Sequence, residues 1–217
     1  MLVEELITSA RDKLLIARNT REHPLRDAKV LTGWTALMVT DMAGAAQICQ
    51  CPDGLKAARE ALSFLRTERW VDDGRTSGQL STLPGQAAFL DNHAFLLQAG
   101  LALHAADPQP DDLPFAEDLA QAMLAQFEDR DAGGFFFTRH DAPALIHRLK
   151  TGADAATPSG NGVAAGALLA LSGKVTEPNA ARYRMAAQRC VQVFAASVRA
   201  DPASCTSLLR AAMLLEK

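Results

Sequence analysis

Residues 33–50, G-W-T-A-L-M-V-T-D-M-A-G-A-A-Q-I-C-Q, decide the fold, because this helix-forming run carries a single charge, Asp41. A helix apolar around most of its circumference has to be covered on most sides. The next run, 53–70, is one-sided: Lys56, Arg59, Glu60, Arg66, Glu68 and Arg69 lie opposite Leu55, Ala58, Leu62 and Leu65. That pattern makes a surface helix with one apolar stripe. The alternation recurs twice more. Segment 87–106 carries only Asp91 besides two histidines, segment 159–172 carries no charge, and the runs after them, 112–128 and 178–199, are again one-sided. Three successive pairs of buried then amphipathic helix read as repeated antiparallel hairpins, one ring inside another. The expected fold class is therefore all-α, a partial α/α toroid, in preference to an α-solenoid or an irregular bundle.

Turn signals extend this reading along the chain. They stand at His23-Pro24, Cys51-Pro52-Asp53-Gly54, Asp72-Asp73-Gly74, Leu83-Pro84-Gly85, Pro108-Gln109-Pro110, Asp131-Ala132-Gly133-Gly134, Pro178 and Asp201-Pro202. About eight helices result, over 2–20, 33–50, 53–70, 87–106, 112–128, 159–172, 178–199 and 202–215, organised as one helical domain across 1–217. Links from a buried to an amphipathic helix are short, whereas the links into the next buried helix, 71–86 and 129–158, are long. Gly133-Gly134-Phe135-Phe136-Phe137-Thr138 reads as a strand of a short β-hairpin within the second. Both long connectors gather at the N-terminal ends of the buried helices, which is the face where a site is expected.

Charge and composition exclude several functions. The 217 residues are 48% apolar, with 22 Lys and Arg against 25 Asp and Glu and a net charge of −3, so nothing suggests a nucleic-acid or anionic-membrane partner. The N-terminal segment is charged every few residues and reads as neither a secretory signal nor a membrane span, which points to the cytoplasm. Cys49, Cys51, Cys190 and Cys205 match no common zinc or redox spacing and read as reduced, buried thiols. His93 and His104 share a helix face but stand about 16 Å apart at the helical rise, too far to hold one metal. No metal or other cofactor is expected.

Four stretches, in order, carry a family resemblance: Asp27 to Met38 (D-A-K-V-L-T-G-W-T-A-L-M), Phe89 to Leu96 (F-L-D-N-H-A-F-L), Gly133 to Thr138, and Lys150 to Asn161 ending T-P-S-G-N. The chain resembles the helical region of the spermatogenesis-associated, thioredoxin-domain-containing proteins, which is similar to six-hairpin toroids such as the N-acylglucosamine 2-epimerases. The resemblance implies the middle portion of a larger toroid without its thioredoxin domain, with about eight of twelve ring helices. Ala28, Thr35 and Ala36 depart from the family's D-D-K-x-L-T-x-W-N-G pattern, where Asp, Asn and Gly stand.

Equivalent positions in successive hairpins converge on the mouth of a toroid. The candidate catalytic residues are accordingly Asp27, Asp91, His93 and Asp154, and the candidate substrate-binding residues Lys29, Trp34, Lys150, Ser159 and Asn161. Glycosidic cleavage needs two carboxyls about 5–9.5 Å apart, which these aspartates could supply; epimerisation needs an acid and a base flanking a sugar carbon, with His93 the imidazole in position. Each has a plainer alternative: a carboxylate at a helix start, a helix cap at Thr157 or Ser159, a core tryptophan. The expected function is binding or processing of a small sugar by a hydrolase- or epimerase-like site. The alternative is a non-catalytic helical module that has lost the family's activity. A truncated ring should also expose apolar faces, from which self-association as a two-fold dimer is expected.

Overall fold

The computed structural model describes residues 2–72, 78–143 and 146–216. Asp73 and Gly74 of one turn signal lie outside them. The chain runs α1 (Leu2–Asn19), α2 (Thr32–Cys49), α3 (Pro52–Arg69), β1 (Trp70–Val71), β2 (Gln79–Leu83), β3 (Gln86–Ala87), α4 (Leu90–Ala106), α5 (Asp112–Phe127), α6 (Gly160–Ser172), α7 (Asn179–Val193), α8 (Ala195–Ala200) and α9 (Thr206–Leu215). The helix boundaries match those read from the turn signals to within a few residues, except that the expected helix over 178–199 breaks at Phe194 into α7 and α8.

The alternation of polarity has the predicted consequence. The nearly uncharged helices α2, α4 and α6 pack side by side, with α9 beyond α6, and α3, α5 and α7 each cover one of them from outside. Residues from Leu90 to Leu103 are buried on almost every face of α4, including Ala94, Phe95, Leu96 and Leu97. Amphipathic α5 buries Phe115, Leu119, Met123 and Phe127 and turns Asp118 and Ala125 outward. Each such large apolar side chain removed from water contributes about 1.5–3 kcal/mol. A part-buried ion pair ties two outer helices together: Arg59 Nη1 of α3 donates to Asp112 Oδ1 of α5 at 2.6 Å, and its other guanidinium nitrogen donates to the Asp107 carbonyl at the end of inner helix α4.

All four inner helices begin at the same end. A Cβ on Gly33 in α2 would meet Asn92 and Phe95 of α4, one on Gly160 in α6 would meet Leu90 and Asp91 of α4, and Asp154 bonds both Ser159 before α6 and Ser207 in α9. The result is an arc of a two-layered α/α toroid, inner helices parallel and outer ones antiparallel to them.

Two features differ from expectation. The β-structure of the long connectors is concentrated in the first one, where β1, β2 and β3 form an antiparallel sheet in that order. In the second connector the expected strand 133–138 pairs only through one bridge, Glu128 to Phe135. Gly133 and Gly134 have φ of 87° and 70°, a left-handed turn that a continuous strand cannot contain; beyond it the Asn161 side chain holds Phe135, and the Phe136 and Phe137 N–H groups donate to the Phe127 and Leu149 carbonyls at 2.9 and 2.8 Å. Secondly, α1 is not part of the packed arc. All its described side chains are exposed, among them Leu6, Ile7, Leu14, Leu15 and Ile16, as are residues 20–30.

Candidate functional site

The concave side of the arc holds a cavity of about 730 Å3. Its floor is made of small residues of α4 and α6, Ala102, Ala105, Gly162, Gly166, Ala167 and Ala170, and its rim of Asp154 to Pro158, Gln98, Lys174 and the α9 residues Thr206, Ser207 and Arg210. Small residues open the space: a Cβ on Gly166 would meet nothing within 4 Å. At the N-terminal end the walls close in, since a Cβ on Gly162 would strike the Ser207 side chain of α9. The volume lies within the range of small-ligand sites.

Of the residues singled out by sequence, Asp154 is the one that lines this cavity. One oxygen accepts the Ser159 N–H at 2.8 Å, the other accepts Thr206 Oγ1 at 2.6 Å and Ser207 N–H at 3.0 Å, and the Ser207 hydroxyl donates as well. Burial pushes this carboxyl up, yet the Ser207, Thr206 and Ser159 hydrogen bonds together hold it below the usual carboxylate range. Asp154 is thereby the clip that fastens the connector to the start of α9.

Asp91 stands on the other side of the same helix start. It is the second residue of α4, partly buried, and its Oδ1 occupies the space that a Cβ on Gly160 would take. No described residue gives it a hydrogen bond or ion pair. Burial pushes its carboxyl up to about 6. Asp91 and Asp154 therefore flank the pair Ser159-Gly160, one a carboxyl that titrates near neutrality and the other a stabilised anion.

The remaining candidates are placed elsewhere. His93 is fully buried, with Nδ1 at 3.2 Å from the Phe89 carbonyl oxygen and its ring edge-on to Phe127 at 4.9 Å. Burial lowers its pKa to about 4. The imidazole expected at the mouth is a neutral core side chain, because α4 is covered on nearly all faces and this position points inward. Asp27 and Lys29 lie in the exposed segment before α2 and pair with each other at 3.1 Å; hydrogen bonds from the Lys29 backbone and side chain hold Asp27 below the usual range. Trp34 is 66% exposed, neither core nor cavity wall.

Lys150, Ser159 and Asn161 form the scaffold of the second connector. The Lys150 ammonium donates to Asp129 and to the Gly133 carbonyl, and lies 4.7 Å over the Phe136 ring. Asn161, 2% exposed, accepts the Phe135 N–H at 2.7 Å and donates to the Phe135 and Thr151 carbonyls, both at 3.0 Å. Ser159 caps α6 by accepting the Gly162 N–H at 3.4 Å. Together these residues build the loop that leads into α6.

Sequence reasoning missed Thr40, Gln98, Lys174, Thr206, Ser207 and Arg210, which line the cavity outside any recognised motif. Their common signal is position, on the inner face of an inner helix or at its end. Among the described residues no group of three or more His, Cys, Asp and Glu is placed to hold a metal ion, and no helix is long and apolar enough to cross a membrane.

No family model matches the chain. Human spermatogenesis-associated protein 20 is 31% identical to it over 182 residues, covering 79% of this chain and 23% of that protein; the rat protein is 30% identical over 182 residues, with the same coverage. The chain thus spans about a quarter of the length of these curated relatives. Among solved structures, an inactive variant of the α-1,6-mannanase GH76A of Salegentibacter sp. HEL1_6, in complex with α-1,6-mannotriose, superimposes with a TM-score of 0.61 at 15% identity, covering 76% of this chain and 46% of that one. Cellobiose 2-epimerase from Spirochaeta thermophila gives 0.56 at 22% identity (76% and 42%), and an unsaturated glucuronyl hydrolase specific for heparin 0.55 at 16% (80% and 48%). At these identities the likeness is one of fold.

Proposed function

From a chain homologous to a portion of spermatogenesis-associated protein 20 and folded as a toroid arc, we propose a carbohydrate-binding protein that holds a small sugar on the concave face. The observation that carries this reading is the cavity: sugar-sized, with a floor of small residues that lets a ring lie flat and a rim of hydroxyl, amide and cationic groups suited to sugar hydroxyls. The mannanase and epimerase that share the fold act on saccharides, which supports the same reading here.

The test is thermal stability against a panel of mono- and disaccharides. A ligand at saturation binds the folded state alone and raises Tm by several degrees. Gly166→Phe fills open space inside the cavity, so it should keep the fold and abolish the shift. A flat response of the unaltered protein to the whole panel would overturn the proposal.

A catalytic reading is favoured by one observation, the raised carboxyl of Asp91 beside Ser159-Gly160. A carboxyl near 6 is about one-tenth protonated at pH 7 and mostly protonated at pH 5, so it can play the acid in glycosidic cleavage in mildly acidic solution. Asp154, whose oxygens are both taken by Ser159, Thr206 and Ser207, would stand by as a fixed negative charge and not as the attacking group. Loss of turnover with retained sugar binding in Asp91→Asn supports this, and unchanged turnover excludes it. Epimerisation through His93 has no support, since that ring is sealed in the core.

Two settings complete the proposal. The four cysteines stand as free thiols, consistent with a reducing compartment such as the cytoplasm, although only Cys190 and Cys205 are buried as expected and Cys49 and Cys51, at the exposed end of α2, are not. The apolar side chains exposed on α1 and at the arc's edge, Trp34, Met38 and Met213, support self-association into a dimer.

A further inference from the structure

Three formally charged residues line the cavity, Asp154, Lys174 and Arg210. Asp154 is consumed by the protein: backbone and hydroxyl donors from Ser159, Thr206 and Ser207 occupy both its oxygens. The two cations are the reverse. No described residue forms an ion pair or hydrogen bond with the Lys174 ammonium or the Arg210 guanidinium. Arg210 lies one helical turn beyond Thr206 and Ser207 on the cavity side of α9, and Lys174 comes just after the last turn of α6, toward the other end of the cavity. In a chain of net charge −3 the available charge in this cavity is therefore positive.

A neutral sugar would leave both cations to water. An anionic group gains a charge-assisted hydrogen bond, and the planar fork of arginine fits two oxygens of one carboxylate or phosphoryl group at once. We propose that the sugar held in this cavity is an anionic one, a sugar acid or sugar phosphate, whose acidic group is bound by Arg210 with Lys174 adding attraction from the far end. The proposal rests on the carbohydrate reading above and adds the charge of the ligand. The hydroxyl of Thr157 and the amide of Gln98 remain for the neutral part of the ring, and the Thr206 and Ser207 hydroxyls, which donate to Asp154, are left to accept from it.

Calorimetry on the full chain with D-glucuronate, D-glucose, D-glucose 6-phosphate and inorganic phosphate tests it. At least one of the two acidic sugars should bind about tenfold or more tighter than glucose. The preference should shrink when salt is raised from about 20 mM to about 300 mM, because the cations are exposed. Tighter binding of glucuronate identifies the carboxylate as the group recognised, and tighter binding of glucose 6-phosphate the phosphoryl group. Arg210→Gln should remove most of the preference and Lys174→Gln part of it, both with far-UV spectra and Tm unchanged, since neither side chain bonds the rest of the fold. Glucose binding as tightly as both acidic sugars, with Arg210→Gln silent, overturns the charge inference and leaves the carbohydrate reading standing. Inorganic phosphate binding as tightly as the acidic sugars overturns it as well, by showing an anion site without sugar recognition. Absence of binding by all four overturns both.

Discussion

Replacing Asn161 by alanine separates a scaffold residue from a ligand contact. The side chain is 2% exposed and satisfies three backbone groups, the Phe135 N–H and the Phe135 and Thr151 carbonyls. Alanine leaves the Phe135 N–H and carbonyl buried without partners, whereas the Thr151 carbonyl, on an exposed residue, keeps the Ser159 hydroxyl at 3.3 Å. At the lower end of the cost of an unsatisfied buried group, about 1 kcal/mol each, the loss is about 2 kcal/mol. For a chain of this size 1 kcal/mol moves Tm by about 2–4 °C, so the variant should melt about 4–8 °C below the parent. Circular dichroism melts measure the total, and amide hydrogen exchange locates it, because the Phe135 N–H should lose its protection ahead of the helices. A Tm within about 2 °C of the parent, which is less than one such hydrogen bond, would refute the accounting. Loss of sugar binding at that unchanged Tm would make Asn161 a ligand contact instead.

The same geometry dictates further outcomes. Gly160→Ala drives a methyl into Asp91 Oδ1; a strained insertion of this kind costs about 1–3 kcal/mol, and displacing the carboxyl toward water should bring its pKa below 6, as read by NMR titration. The raised pKa of Asp91 also sets a pH signature. Its folded form holds the proton more tightly than its unfolded form, at 3.8, so the cost of burying the charge is present above about pH 6 and is relieved as pH falls from 6 toward 4. Asp91→Asn should thus gain stability over the parent at pH 7 and lose that advantage by pH 4; a constant difference across the range would contradict the assignment. Light scattering at tens of micromolar should give more than the monomer mass, and Leu6→Glu with Leu14→Glu should restore the monomer with its far-UV spectrum unchanged, because none of the described side chains of α1 is buried in the fold. A monomer in the parent would refute the self-association.

The layered helices were legible because burial on all sides forbids charge, a constraint visible in three nearly uncharged runs such as 159–172. The small sheet of Trp70–Val71, Gln79–Leu83 and Gln86–Ala87 was not, since two of its strands have only two residues and carry no periodicity, and the five-residue strand between them is paired only because the connector folds back on itself. Motif reading found the connector beneath the mouth yet misjudged its parts. Asn161 and Lys150 look like ligand contacts because they are polar in an apolar setting, and the structure uses them to hold the Phe135 backbone and the Asp129–Gly133 turn. His93 could not be assigned from spacing, because on a helix buried nearly all round no face is marked as the outside. The cavity floor was invisible for another reason: alanine and glycine have no functional group, and what they contribute is the absence of volume.

The common orientation of the inner helices has an electrical consequence. A helix carries roughly half a positive charge at its N-terminus, and α2, α4, α6 and α9 bring four such ends together. The outer helices run the other way, so at this end of the molecule their negative ends form a surrounding border. The field is therefore radial, a positive hub within a negative rim, and it reverses at the opposite end, where Lys174 stands against the negative terminus of α6. An anion drifting across the hub face would be drawn toward the axis of the arc, and a cation toward its circumference. The hairpin repeat thus gives each end of the molecule a bias set by chain direction, which a side chain in the first or last turn, with a full charge against half a charge per helix end, can reinforce or outweigh.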